Sequence, residues 1–187
     1  MANIFLIADT HFGHKGVCEF LNEDGSKLRP FENSDEMDEI LVQNWNSVVK
    51  PSDKVYHLGD VVINRKALPT LKRLNGEKVL IKGNHDIFRI EEYLEYFKDV
   101  RGTHKLDSYI LSHIPIHPHS IARWASGNIH GHLHSNVVEV AVGTEVLVGL
   151  GNQDIYAPDD RYICVSVEQI NYTPISYEVL KKLHNKD

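Results

Sequence analysis

Asn3-Ile4-Phe5-Leu6-Ile7-Ala8-Asp9-Thr10-His11 passes within one short stretch from an apolar run to two residues of metal-ligand type. The run 4–8 is too short for an ordinary helix and reads as a buried strand. A polar turn holding Asp9, His11, Gly13 and His14 follows at once, so the chemistry begins at the strand's carboxyl end. The pattern recurs twice. An apolar strand over 55–58 ends in Gly59-Asp60, and another over 78–81 ends in Gly83-Asn84-His85-Asp86.

Between these strands lie helical signals. Ser34 is a good N-cap, Asp35 and Glu36 are acidic first-turn residues, Met37, Ile40, Leu41 and Val48 recur at helical intervals, and Pro51 closes the segment. Residues 66–74 carry a second helical spacing that stops at Asn75-Gly76. Strand alternating with helix predicts parallel βαβ units. After a helix over 90–97 the pattern shifts to short strands at 100–106, 109–112, 128–130, 137–148 and 162–167, with a closing helix at 176–183. The expectation is an α/β protein forming a single domain over 1–187, without internal repeat or linker.

Composition narrows the function classes. No stretch approaches the roughly 20 apolar residues that cross a bilayer, and the run 4–8 is too short for a signal-peptide core. Cys18 and Cys164 are far apart and outside any Cys-x-x-Cys spacing, which argues against a disulfide framework or a thiolate zinc site and fits a reducing cytoplasm. A net charge of -6 disfavours long nucleic acid as a partner but leaves a small phosphorylated substrate open. The oligomeric state stays open. The unusual feature is 12 histidines.

The polar residues that follow apolar strands are Asp9, His11, Asp60, Asn84, His85, His113, His132 and His134. In open α/β sheets ligands bind outside the carboxyl ends of the strands, so these scattered positions are expected to converge. His132 and His134 stand two apart, and in extended backbone such residues point the same way. Carboxylate and imidazole without thiolate suit manganese, iron, zinc or nickel. A carboxylate such as Asp60 can bridge two ions about 3.5 to 4 Å apart, a pair suited to phosphate-ester hydrolysis.

Asp9-x-His11, Gly59-Asp60, Gly83-Asn84-His85-Asp86, His113 and Gly131-His132-x-His134, in this order, resemble the calcineurin-like metallophosphoesterases. The stretches 9–14, Arg29-Pro30-Phe31 and Trp45-Asn46 resemble its small stand-alone bacterial and phage members. The resemblance implies a four-layer αββα sandwich with two mixed central sheets flanked by helices. It implies one metal held by Asp9, His11 and His134, a second by Asn84, His113 and His132, and Asp60 bridging both. It further implies two divalent transition-metal ions, manganese foremost, with a hydroxide nucleophile between them and His85 as leaving-group acid. A phosphodiester of small, nucleotide-like size is the preferred substrate. The alternatives are a phosphomonoesterase or protein phosphatase, and a non-catalytic scaffold of the same fold that binds a protein partner. Many relatives carry Gly-Asp-x-x-Asp, whereas Asp60 here is followed by Val61, Val62 and Ile63, so what orients His85 is left open.

Other residues divide between roles. Asn84, His85 and His14 are candidates for the substrate phosphate, His14 also reading as an exposed turn histidine. Arg29, Arg65 and Arg123 are candidate phosphate contacts, each more simply a solvated surface arginine. His57 and His130 fit supporting or core roles. His104 and His184 carry no special expectation, and His117 and His119 shape a Pro-rich loop. Trp45 and Trp124 read as packing residues.

Overall fold

The computed structural model describes residues 2–121, 125–147 and 151–184. Strands β1 (Ile4–Ile7), β2 (Lys54–His57), β3 (Glu77–Ile81) and β4 (Asp99–Arg101) run parallel in one sheet. β11 (Ile175–Ser176) lies antiparallel against β1, giving the order β11-β1-β2-β3-β4. In a second sheet β6 (Tyr109–Leu111), β7 (Gly127–His130) and β10 (Tyr162–Cys164) are parallel and β5 (His104–Leu106) is antiparallel to β6, giving the order β10-β7-β6-β5. β8 (Glu139–Leu147) and β9 (Gly151–Pro158) pair antiparallel as a separate two-stranded sheet among the described residues.

The alternation along β1 explains the layering. Phe5 and Ile7 point into a core shared with Met37, Leu41, Val42 and Trp45 of helix α1 (Ser34–Val48) and with Leu68 and Leu71 of the 3-10 segment Arg65–Arg73. Leu6 and Ala8 point the other way, into a core with Leu111 and Ile129 of the second sheet and with Val165 just beyond β10 (Tyr162–Cys164). The first sheet is thus buried on both faces, which accounts for its uninterrupted apolar strands. Tyr177 and Leu180 of α4 (Tyr177–His184) enter the second core. The result is a mixed α/β sandwich of two sheets with helices.

Several expected elements differ. Asn33, not Ser34, caps α1, its side chain accepting from the backbone N–H of Asp35 (3.0 Å) and Glu36 (2.9 Å). An asparagine side chain reaches both amides from one residue earlier, so the serine becomes the first helical residue. The helix expected over 66–74 is the 3-10 segment Arg65–Arg73 rather than an α-helix, with Pro69 inside it. The helix expected over 90–97 is the shorter α2 (Ile90–Leu94). The strand expected over 100–106 is two strands in different sheets, β4 and β5, because the chain crosses between sheets at Gly102-Thr103. The strand expected over 162–167 ends as β10 at Cys164, with the backbone N–H of Val165 still donating to His130 O (2.8 Å) of β7. Val165 and Ser166 then reach across to Ala8, joining the sheets beside Asp9. β9 escaped the sequence reading because its residues lack an apolar pattern. The expected strand end at Val148 lies outside the described residues. On the outer face of the second sheet, the segment 114–121 packs through hydrogen bonds to Asn128 and Tyr162, and its only helix is the single turn α3 (Pro118–Ile121).

Candidate metal centre

The turns after β1, β2, β3, β6 and β7 meet at one edge of the sandwich. Asp9, His11, Asp60, His132 and His134 all hold left-handed backbone, with φ between 48° and 71°. Few non-glycine residues adopt this conformation, and it is found where surrounding structure imposes it for function. Here the surroundings are visible. The Asp86 carboxylate accepts from the backbone N–H of Asp60 (2.8 Å), Val61 (3.0 Å) and Gly83 (2.8 Å), stapling the second and third turns together. The Asp38 carboxylate accepts from Gly13 N (3.0 Å) and the Asn64 amide donates to Gly13 O (3.0 Å), fixing the first turn. A side chain at Gly83 would collide with the Asp60 carboxylate, and one at Gly131 would come within 2.5 Å of Asp9 Oδ2 and Ala8 Cβ. Each of these motif glycines is therefore set by close approach of backbone to a neighbouring ligand.

The side chains converge as the topology requires. Ligand atoms of Asp9, His11 and His134 lie within 4.8 Å of one another, and so do those of Asp9, Asp60 and His113. Asp60 Oδ2 stands 3.7 Å from His11 Nε2 and 3.3 Å from His113 Nε2, facing an imidazole on either side. Asn84 Oδ1 is 2.9 Å from His113 Nε2, and the His132 ring lies edge-on to His113 with centroids 5.1 Å apart. Asp9 rather than Asp60 is the carboxylate common to both compact groups.

Two tautomers follow from outer partners. His113 Nδ1 donates to the carbonyl of Leu58 (2.7 Å), so Nε2 is the ring nitrogen that faces the cluster. His134 Nδ1 pairs with Glu168 Oε1 (3.0 Å), which also accepts from Arg29 Nε (2.7 Å). Arg29 is fully buried and donates further to the carbonyls of Asp9 (2.5 Å) and Thr10 (3.1 Å). The expectation of a solvated surface Arg29 is thus corrected. Burial of a guanidinium is tolerable because its donors meet a carboxylate and two orphan carbonyls.

The electrostatics match a cation site. Burial pushes Asp9 up to about 6 despite the neighbouring His113 and His134. Asp9 Oδ2 accepts from Ser166 Oγ (2.7 Å) and His132 N (2.9 Å), but among the described residues Oδ1 is buried without a hydrogen-bond partner, as is His11 Nδ1. Burial also raises Asp60, but the hydrogen bond and charge of His113 outweigh it and hold it down at about 2. His113 and His134 are raised against the effect of burial, the first by Asp60 and Asp9 and the second by Glu168. A buried carboxylate oxygen with no donor, facing imidazole nitrogens, is what a divalent cation would satisfy, so the residues present fit such an ion.

The remaining expected residues are placed as follows. His85 is exposed, its ring centroid 5.6 Å from that of His11, and its backbone N–H donates to Asp60 Oδ1 (2.8 Å). Among the described residues no side chain hydrogen-bonds the His85 ring, and Asp86 serves the turns instead. His14 accepts from Val17 N (2.8 Å) with its ring 5.7 Å from His11. Arg65 pairs with Glu92 on the surface. His57 and His130 are buried; His104 contacts Tyr56 and Arg101. His184 lies edge-on to Tyr109, and the His117 and His119 rings pack together. Trp45 is packed in the core, donating to Asn75 O (2.9 Å). Arg123 and Trp124 lie outside the described residues. Glu168 and Ser166 were missed by sequence reasoning, since a lone acid and a serine after an edge strand carry no pattern.

Fold and site together define an α/β protein with an Asp/His cluster suited to divalent metal. The chain is 36% identical to the uncharacterized protein MJ1445 of Methanocaldococcus jannaschii, in an alignment covering 100% of this chain and 93% of the archaeal protein. It belongs to the same family as that protein. It is 34% identical over 91 residues to the gene 66 protein of Mycobacterium phage L5, covering 46% of this chain and 41% of the phage protein. A crystal structure of a protein of unknown function from Aquifex aeolicus, AQ665, is similar at 28% identity and TM-score 0.68, covering 98% of this chain and 100% of that one. An archaeal phosphodiesterase is similar at 16% identity and TM-score 0.43, covering 88% of this chain and 82% of that one, a likeness too slight to carry an argument. No protein-family model matches the chain.

Proposed function

We propose that this chain is a single-domain metallophosphoesterase of the calcineurin-like type that hydrolyses small phosphate esters, diesters in preference, with two divalent metals, manganese foremost. The observation that carries the reading is Asp60 Oδ2 placed between His11 Nε2 and His113 Nε2, with the unpartnered Asp9 Oδ1 in the same pocket. Asp9, His11 and His134 would hold one ion, Asn84, His113 and His132 the other, and Asp60 would contact both. Such a pair supplies positive charge to phosphoryl oxygens and makes water acidic enough to ionise near neutral pH.

The chain's own residues account for the rest. Glu168 and the Leu58 carbonyl set the tautomers of His134 and His113, so each presents Nε2 to the cluster. His85, exposed and anchored by its backbone to Asp60, would hand a proton to the leaving oxygen. The test is to strip the protein with chelator and assay chromogenic phosphomonoesters and diesters across divalent metals. Metal-restored hydrolysis with diesters favoured supports the proposal. Metal binding without turnover would leave a metal-storing or scaffold protein in its place.

A further inference from the structure

We infer that the cleft beside His132 and His134 is a subsite for an uncharged planar ring esterified to the phosphate, such as an aryl group or a nucleobase-bearing alcohol. The inference rests on the phosphoesterase reading for where the phosphate sits. The cleft encloses about 620 Å³, and the two histidines form part of its wall, so a ligand whose phosphate reaches the metal ligands extends directly into it.

The opposite wall is the loop 20–28, which is held in shape. Leu28 N donates to Phe20 O (2.8 Å), Asn22 N donates to Ser26 O (2.8 Å), and Leu21 bridges to Lys27. Ser135 Oγ donates to Asn22 Oδ1 (2.9 Å), tying this loop to the histidine-bearing turn across the cleft. The site is therefore formed before any ligand arrives, which spares the ligand the ordering cost.

Its chemistry selects against charge of one sign. Phe20 and Leu21 are 52% and 63% exposed, an unusual display of two adjacent large apolar side chains in an otherwise polar loop. The Phe20 ring is steadied edge-on by His14 with centroids 5.7 Å apart, and Leu28 and Leu133 line the cleft with it. Glu23 and Asp24 stand at the rim, and among the described residues no Lys or Arg lines the cleft. A second phosphate group would meet the carboxylates of the loop wall, whereas a flat neutral ring finds an aromatic face and apolar contact.

Calorimetric titration of the manganese-loaded protein with phenyl phosphate and with methyl phosphate tests this without requiring turnover. Phenyl phosphate is expected to bind about tenfold tighter, the scale of one stacking contact. In Phe20→Ala the two ligands should bind alike, and in Phe20→Tyr the preference should return. Equal affinities in the unaltered protein, or a preference that survives Phe20→Ala, would overturn the subsite. A ring preference in a protein that hydrolyses no ester with any metal would overturn the phosphoesterase reading and leave the subsite standing, so the two failures are distinct.

Discussion

The carboxylate of Glu168 lies 3.0 Å from His134 Nδ1, the two residues brought together across 34 positions of sequence. The contact holds the imidazole with Nε2 directed at Asp9 and His11 and raises its basicity, the usual way an outer carboxylate strengthens a histidine ligand. Glu168→Gln should therefore weaken metal binding by about ten- to a hundredfold, the range found when such partners are removed. Manganese titration of the chelated protein, with circular dichroism to check the fold, reads this out. Unchanged affinity in a folded variant would show that Glu168 serves only Arg29.

Arg29 has a different weight. Its guanidinium is fully buried, and removing it strands Glu168 and the carbonyls of Asp9 and Thr10 without donors. Loss of one partner of a buried pair costs about 3 to 5 kcal/mol. Arg29→Met should approach that loss in urea unfolding, and the double variant Arg29→Met/Glu168→Gln should lose less than the sum of the single variants. A cost under about 1 kcal/mol would mean the pair is dispensable to stability.

How far the sequence predicts this molecule depends on the range of the interaction. The three strand-to-turn transitions at Asp9, Asp60 and Asn84 were legible because an apolar run and its following ligand are neighbours in the chain. Their convergence followed from parallel topology alone. Arg29 and Glu168 were not legible, because each looks like a surface charge until the fold brings residues 139 positions apart to 2.7 Å. The division of 100–106 into strands of two sheets was hidden for the same reason, since one short polar turn separates apolar stretches that read as continuous.

His57 provides a pH signature away from the metal ligands. Thr10 Oγ1 spends its single proton on Val61 O (2.9 Å), so His57 Nε2 must donate to that hydroxyl (2.9 Å) and Nδ1 is left buried and bare. Burial drives His57 down to about 3. Between pH 6.5 and about 3 the unfolded chain therefore carries a proton here that the folded one does not, and stability falls as pH falls through that window. Asp9 and Asp38, raised to about 6, act with the opposite sign, so the effect is read as a difference. Relative to His57→Phe, the unaltered protein should lose about 1 kcal/mol per pH unit in urea unfolding from pH 6.5 to 4.5. A gap independent of pH would contradict a neutral buried His57.

In the proposed function the Asp9, His11, Asp60, Asn84, His113, His132 and His134 cluster binds metal in order to hydrolyse phosphate esters. The most direct measurement follows metal content and hydrolysis of bis(p-nitrophenyl) phosphate in the same samples, for the unaltered chain, Asp60→Asn and His85→Ala. Turnover should rise with bound manganese toward two ions per chain. Asp60→Asn should lose both metal and turnover, and His85→Ala should lose turnover with metal retained. A chelated protein that hydrolyses as well as the loaded one, or a fully loaded protein that hydrolyses no phosphate ester, would contradict it.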